Sequence, residues 1–230
     1  MASTSEIGHA KNVANFQDLI EFVTAYGATY NPSKNSLKLP QLIALKASAD
    51  ATLADVITKN TNYNNKVNER ITAFSGLKSL STRLVNALQT TDATTETIGN
   101  AKTFNRKMQG KKASSSQTPT DPNTPAPNTI STSQQSYDQL IQHLAGLTSI
   151  LEAETSYTPN ETDLQVATIQ AKIADLSAKN TAVATAYTSI SNSRIARNET
   201  LYSSTTGLVE TANEVKKYVK SVFGASSPQF

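Results

Sequence analysis

The sequence contains no cysteine. Disulfide frameworks, thiolate metal sites and cysteine nucleophiles are therefore excluded. Histidine is nearly absent too: His9 and His143 lie far apart and have no metal-ligand spacing. Aromatic residues make up 6% and apolar residues 37%, low values for a chain with a deep spherical core. Neither sign of charge dominates. Lys and Arg number 21 against 18 Asp and Glu, and the basic residues are spread along the chain. Nothing in that distribution calls for nucleic acid or an anionic membrane surface. No run approaches the roughly 20 apolar residues that cross a bilayer. The opening "MASTSEIGHAKNVANF" lacks the basic and apolar regions of a secretory signal. A soluble, cytoplasmic protein is the expectation, with export by a signal-less route as the alternative. There is no Gly-rich phosphate loop, no nucleophile elbow and no zinc-binding helix. The reading gives no catalytic, cofactor-binding or metal-ligating residues, and no cofactor.

What is present is repetition. "VNERITAFSGLKSLSTRLV" (67–85) is echoed by "SNSRIARNETLYSSTTGLV" (191–209). In that register Tyr63 falls on Tyr187, Asn68 on Asn192 and Arg70 on Arg194. Upstream, "FQDLI" (16–20) resembles "YDQLI" (137–141), and "YNP" (30–32) resembles "YTP" (157–159), at slightly different offsets. Repetition of this kind is the first thing to seek in a chain. Residues 110–136 are rich in Pro, Ser and Thr and nearly devoid of large apolar side chains. Such a segment buries too little to offset its ordering entropy and reads as a linker. The expected organisation is a tail at 1–12, a helical repeat at 13–109, the linker at 110–136, a second repeat at 137–224 and a tail at 225–230.

Each repeat reads as a short helix, a long helix and a short helix. "TPNE" (158–161) has the form of a capping box, with Thr158 as N-cap and Pro159 at the first helical position. Val166, Ile169, Ile173, Leu176, Asn180, Val183, Tyr187, Ile190, Arg194, Arg197 and Leu201 follow at alternating three- and four-residue spacing, a heptad seam. That pattern predicts one helix of about 40 residues, roughly 60 Å long. In the first repeat Pro40 opens a similar seam through Leu42, Leu45, Ala49, Thr52, Val56, Tyr63, Val67, Arg70 and Phe74, closed near Gly76. A competing reading breaks both helices at the Lys-Asn pairs 59–60 and 179–180, because asparagine is a poor helix former. The ungapped register favours continuous helices. Asp92 is the expected N-cap of a later helix, and Gly110 and Gly224 the expected stops. The expected fold is all-α: an elongated bundle of two similar, pseudo-two-fold repeats whose seams cover each other. Two separate bundles on a tether are the alternative.

Six polar residues in or beside the seam are the candidate site: Arg70, Arg194, Asn68, Asn192, Tyr63 and Tyr187. An arginine fork suits a carboxylate or another anion. The structural readings carry more weight, namely register control by buried polar groups and arginine stems that pack while their heads reach water. The two tyrosines read as core aromatics whose hydroxyls need partners. His143 reads as a surface or boundary residue beside an apolar face. The basic helix ends, Lys102, Arg106, Lys107, Lys111 and Lys112 in one repeat and Lys216, Lys217 and Lys220 in the other, suit the helix dipole better than phosphate binding.

"GHAKNVANFQDLI", "YGATYNPSKNSLKL", "NAKTFNRKMQGKKA" and "YTPNETDLQVATIQAKIADLSAKNTAV" resemble a two-repeat helical protein family of Bacteroidetes bacteria. The resemblance spans nearly the whole chain outside the linker. It implies a bacterial origin and brings no activity and no catalytic residues with it. The functional expectation is a non-enzymatic structural or interaction protein that binds itself or another protein, homo-oligomerisation being one form of this. A small-ligand or anion sensor with a pocket between the repeats is the alternative, and an enzyme comes last.

Overall fold

The structure, a computed structural model, describes residues 8–110 and 135–228. The linker expected at 110–136 lies outside them except for its first and last residues, as do Lys111, Lys112 and the two C-terminal residues. Among the described residues every regular element is helical, as the sequence pattern predicts. The α-helices are His9–Ala25 (α1), Leu39–Phe74 (α2), Leu77–Leu88 (α3), Thr95–Gln109 (α4), Tyr137–Ala153 (α5), Val166–Tyr202 (α6) and Leu208–Phe223 (α7). Short 3-10 turns precede the long helices, at Asn35–Leu37 and Thr162–Leu164. No helix is long and apolar enough to cross a membrane, among the residues described.

The long helices run 36 and 37 residues without interruption. Both pass straight through their Lys-Asn pairs, so side-chain burial outweighs the weak helix propensity of one asparagine. Pro40 is the second residue of α2, where a missing N–H costs nothing. Gly76 sits between α2 and α3, and Gly110 ends α4 in the left-handed conformation at φ 74°. Three starts differ from expectation. First, α1 begins at His9, so part of the expected tail is helix. Second, α4 is capped by Thr94, whose hydroxyl accepts from the Thr97 N–H at 3.2 Å, and not by Asp92. Third, Thr158 caps nothing: residues 158–161 form a loop and α6 starts at Val166.

The reason for the third difference is a tyrosine. The Tyr157 hydroxyl donates to the Leu164 carbonyl at 2.9 Å and closes the loop over the 3-10 turn. The same device precedes α2, where the Tyr30 hydroxyl donates to the Leu37 carbonyl at 2.7 Å. Leu37 and Leu164 are both buried. Burial pushes each tyrosine up to about 12, aided by the Tyr218 hydroxyl beside Tyr30 and by Glu161 and Asp163 near Tyr157. Below pH 10 both the folded and unfolded chains hold these protons, so the contribution to stability is complete. Between pH 10 and 12 the unfolded chain releases them while the folded chain does not, and stability falls. The melting temperature is therefore expected to drop more steeply over that window in the parent than in the Tyr30→Phe/Tyr157→Phe double variant. Equal slopes would contradict the loop-closing role.

The chain forms two compact units, and neither coincides with the segment 13–109 or the segment 137–224. The first unit takes residues up to Asn64 and from Thr185 onward; the second takes 65–184. In the first unit α1, the start of α2, the end of α6 and α7 enclose Val13, Phe16, Ile20, Leu42, Leu201 and Val215. Tyr30 meets Tyr218 edge-on at 5.3 Å between centroids, and Lys34 pairs with Glu214 at 2.6 Å. In the second unit the end of α2, helices α3 to α5 and the start of α6 enclose Phe74, Leu84, Leu88, Met108, Leu144 and Leu176. Arg83 reaches Asp163 at 2.5 Å, which holds that carboxyl below the usual range. Within each unit, residues from before position 110 are in contact with residues from after position 136.

The buried positions also correct the register. Leu42, Ala49 and Phe74 of α2 have buried counterparts in Ile169, Leu176 and Leu201 of α6. That interval is longer, by almost one helical turn, than the one that pairs Tyr63 with Tyr187. Tyr30 and Leu37 keep the same longer interval to Tyr157 and Leu164. In α6 the buried places after Val183 are Ala186, Ile190, Ser193 and Leu201, and Tyr187 and Arg194, each next to a buried place, lie exposed. A strict heptad drifts from a straight helix by about 20° per repeat, and small side chains take the positions nearest the neighbouring backbone.

Candidate functional site

Of the six candidate residues, Arg70 has the most developed surroundings. It is half-buried near the end of α2, in the second unit. Its Nη1 donates to the Asn180 Oδ1 of α6 at 2.9 Å. Its guanidinium carbon lies 4.1 Å from the ring centre of Tyr137, the first residue of α5. Asn180 passes the interaction on, donating through Nδ2 to the Asp138 Oδ1 at 2.7 Å. Ser136 caps α5 by accepting from the Gln139 N–H, and Asp138 in the first turn complements the dipole. Phe74, one turn beyond Arg70, packs edge-on against Tyr137 at 4.7 Å. One amide thus links a cation on α2 to a carboxylate on α5, with an aromatic face beneath the cation. Cation–π contact at such a site is worth about 0.5–2 kcal/mol.

The guanidinium Nε is buried and has no hydrogen-bond partner among the described residues. Among the described residues Asn180 and Tyr137 orient the group, contacts that join α2 to α6 and to α5. Sequence reasoning does not find these partners. The available signal is Asn180, an amide in phase with an apolar seam, which helix propensity reads only as a breaker.

The other five candidates are arranged differently. Asn68, Asn192, Tyr187 and Arg194 are exposed. Tyr63 and Tyr187 do come together, with ring centres 5.9 Å apart at a 55° tilt, both in the first unit. Arg70 and Arg194 belong to different units, so their sequence correspondence is not an equivalence of surroundings. His143 is buried, at 6% exposure, on the inner face of α5 and not at its boundary, with the Phe104 ring nearby at 6.4 Å. Asn68 lines an open polar groove of the second unit with Glu69, Thr72, Lys172 and Asp175. Its charges are largely matched: Lys66 with Glu69 and Lys179 with Asp175, both at 2.9 Å. Exposed pairs of this kind contribute about 0–1 kcal/mol.

A second polar contact, unforeseen in the sequence, joins α1 to α6 in the first unit. His9 Nδ1 lies 2.7 Å from the Tyr202 hydroxyl, which also accepts from Asn12 Nδ2 at 3.1 Å. Partial burial and then the Arg197 charge lower the His9 pKa. No group of three or more metal-ligating side chains occurs among the described residues.

Arg70→Met is expected to destabilise the fold by about 1–2 kcal/mol, because Asn180 loses its donor and the Tyr137 face its cation. Arg194→Met, at an exposed position, should stay within about 0.5 kcal/mol of the parent. Urea unfolding of both variants checks this contrast, and equal losses would contradict it.

Compared with protein-family models, with curated proteins and with solved structures, the chain matches none of them.

Proposed function

We propose that the chain is a non-enzymatic interaction protein, a helical scaffold of two similar repeats that binds protein, copies of itself first. The observation that carries this reading is a set of isoleucines left outside a core that is already filled. Ile57 and Ile195 are 68% and 64% exposed, and Ile43 is 52% exposed. Ile43 and Ile57 stand two heptads apart on α2, and therefore on one face. Ala47 and Ala54, also exposed, lie between them on that face. Asp50 also stands on that face, held to Lys46 at 2.7 Å, and the isoleucines and alanines around it gain by being covered, at about 25 cal/mol per Å² of apolar surface removed from water. The repeat reading draws support from the two Tyr–Leu loop closures and from the buried positions of α2 that recur in α6 at the interval of those closures. The engagement of Arg70 with Asn180 and Tyr137 favours a structural role for that arginine over anion sensing.

Sedimentation equilibrium over a wide concentration range tests the reading. The parent's weight-average mass should rise with concentration. Ile57→Lys should remain monomeric with an unchanged melting temperature, since the side chain makes no part of the core. A parent chain that is monomeric throughout would overturn self-association.

A further inference from the structure

The first unit carries a cleft of about 520 Å³ between α1 and α7. Its walls are apolar: Leu19, Phe22, Val23 and Tyr26 from α1, Val219 from α7, and Pro228 beyond it. Phe22 stands 62% exposed at this cleft, although α1 already buries Val13, Phe16, Ile20 and Val23 in the unit's core. One charged residue lines the cleft, Lys216 of α7. Its neighbours on that helix are otherwise engaged, Lys217 with Glu210 at 4.0 Å and Glu214 with Lys34 at 2.6 Å. Among the described residues Lys216 is in no ion pair, and no carboxylate lines the cleft.

We propose that this cleft binds a small anionic amphiphile, a medium-chain alkyl carboxylate, with its chain along Leu19, Phe22, Val23 and Val219 and its carboxylate at Lys216. The volume falls in the range of small-molecule sites, which combine mostly apolar walls with a few polar anchors. The charge decides the class of ligand. A neutral or cationic amphiphile would fill the same walls yet leave the ammonium unmatched or repelled, whereas a carboxylate gains a charge-assisted hydrogen bond. The proposal is independent of the isoleucine face of α2, since none of those residues lines the cleft.

The test uses decanoate below its micelle concentration, titrated into the full chain and followed by the methyl resonances of Leu19, Val23 and Val219 and by the melting temperature. Saturable shifts at those methyls and a rise in melting temperature are expected, because a ligand held only by the folded state stabilises it. Lys216→Gln should weaken binding about tenfold or more, and 1-decanol should bind the parent about tenfold more weakly than decanoate. Lys217→Gln, the neighbouring cation, should bind as the parent does. Phe22→Ser, at an exposed position that spares the core, should lose binding while melting normally without ligand. The proposal is overturned if decanoate gives no saturable shift, or if the two lysine variants weaken equally. Binding only to phosphatidylglycerol vesicles, and not to free decanoate, would also overturn it and assign the cleft to a membrane surface. Loss of self-association in Phe22→Ser, without decanoate binding by the parent, would assign it to a second copy of the chain.

Discussion

Gly207→Ala is expected to destabilise the protein by about 3 kcal/mol, the upper part of the range for overpacking. Gly207 caps α7, and its N–H donates to the Ser203 carbonyl at 3.0 Å across the bend from α6. A methyl group there would sit 2.5 Å from the Ser203 backbone nitrogen and oxygen and 2.9 Å from the Tyr202 carbonyl carbon. These are main-chain atoms, so no rotamer change relieves the clash. Either the 203–207 hydrogen bond breaks or α7 shifts, displacing its own Leu208 and Val215 in the core. Gly76 makes the corresponding bend between α2 and α3, and a methyl group added there meets nothing within 4 Å. Gly76→Ala should therefore be close to neutral. Chemical denaturation of the two variants side by side checks the contrast; similar losses would mean that the junctions are equally tight.

The second large effect is expected at Gly146, in the middle of α5. Glycine inside a helix costs about 1 kcal/mol relative to alanine, so something must favour it. That something is Phe104 of α4, whose ring lies over the glycine: an added Cβ would come within 2.5 Å of its Cζ. Gly146→Val should lose about 2–3 kcal/mol, the β-branched side chain having to displace the ring. Here the obstacle is a side chain and not a backbone, so the loss should be recoverable. Combining Gly146→Val with Phe104→Ala should be less damaging than the sum of the two single changes, a coupling that a double-mutant cycle measures. Additive losses would show that the ring does not govern the close approach of α4 and α5.

Much of the architecture is legible in the sequence because it rests on periodicity. The first long helix keeps every seam position assigned to it: Leu42, Ala49 and Phe74 are buried, and Leu45, Thr52, Val56, Tyr63, Val67 and Arg70 half-buried. The second departs from its pattern at Tyr187 and Arg194, while Ile190 and Leu201 are buried as assigned. Hydrophobicity points to Tyr187, whereas packing takes Ala186. The two differ by about 100° around the helix, and only the facing surface decides between a large residue near the seam and a small one within it. The "YNP" and "YTP" echo is visible, but the hydroxyl bond that gives it meaning spans irregular chain and leaves no periodic trace. The Arg70 cluster is half legible. Its place in the seam marks the arginine, while nothing marks Tyr137 and Asp138, on the far side of the Pro- and Ser-rich segment, as its companions. Joining them takes the tertiary fold.

The assembly of the first unit from two distant stretches of chain has a kinetic consequence. The first unit closes only when residues before position 65 find residues after 184. Tyr30 waits for Tyr218, and Lys34 for Glu214, across nearly the whole polypeptide. Helical proteins commonly fold fast because their neighbours in space are neighbours in sequence. This one forgoes that advantage in its first unit. During synthesis its α1 remains without its final partner until α7 has left the ribosome, whereas the second unit, drawn from a continuous stretch, can assemble beforehand.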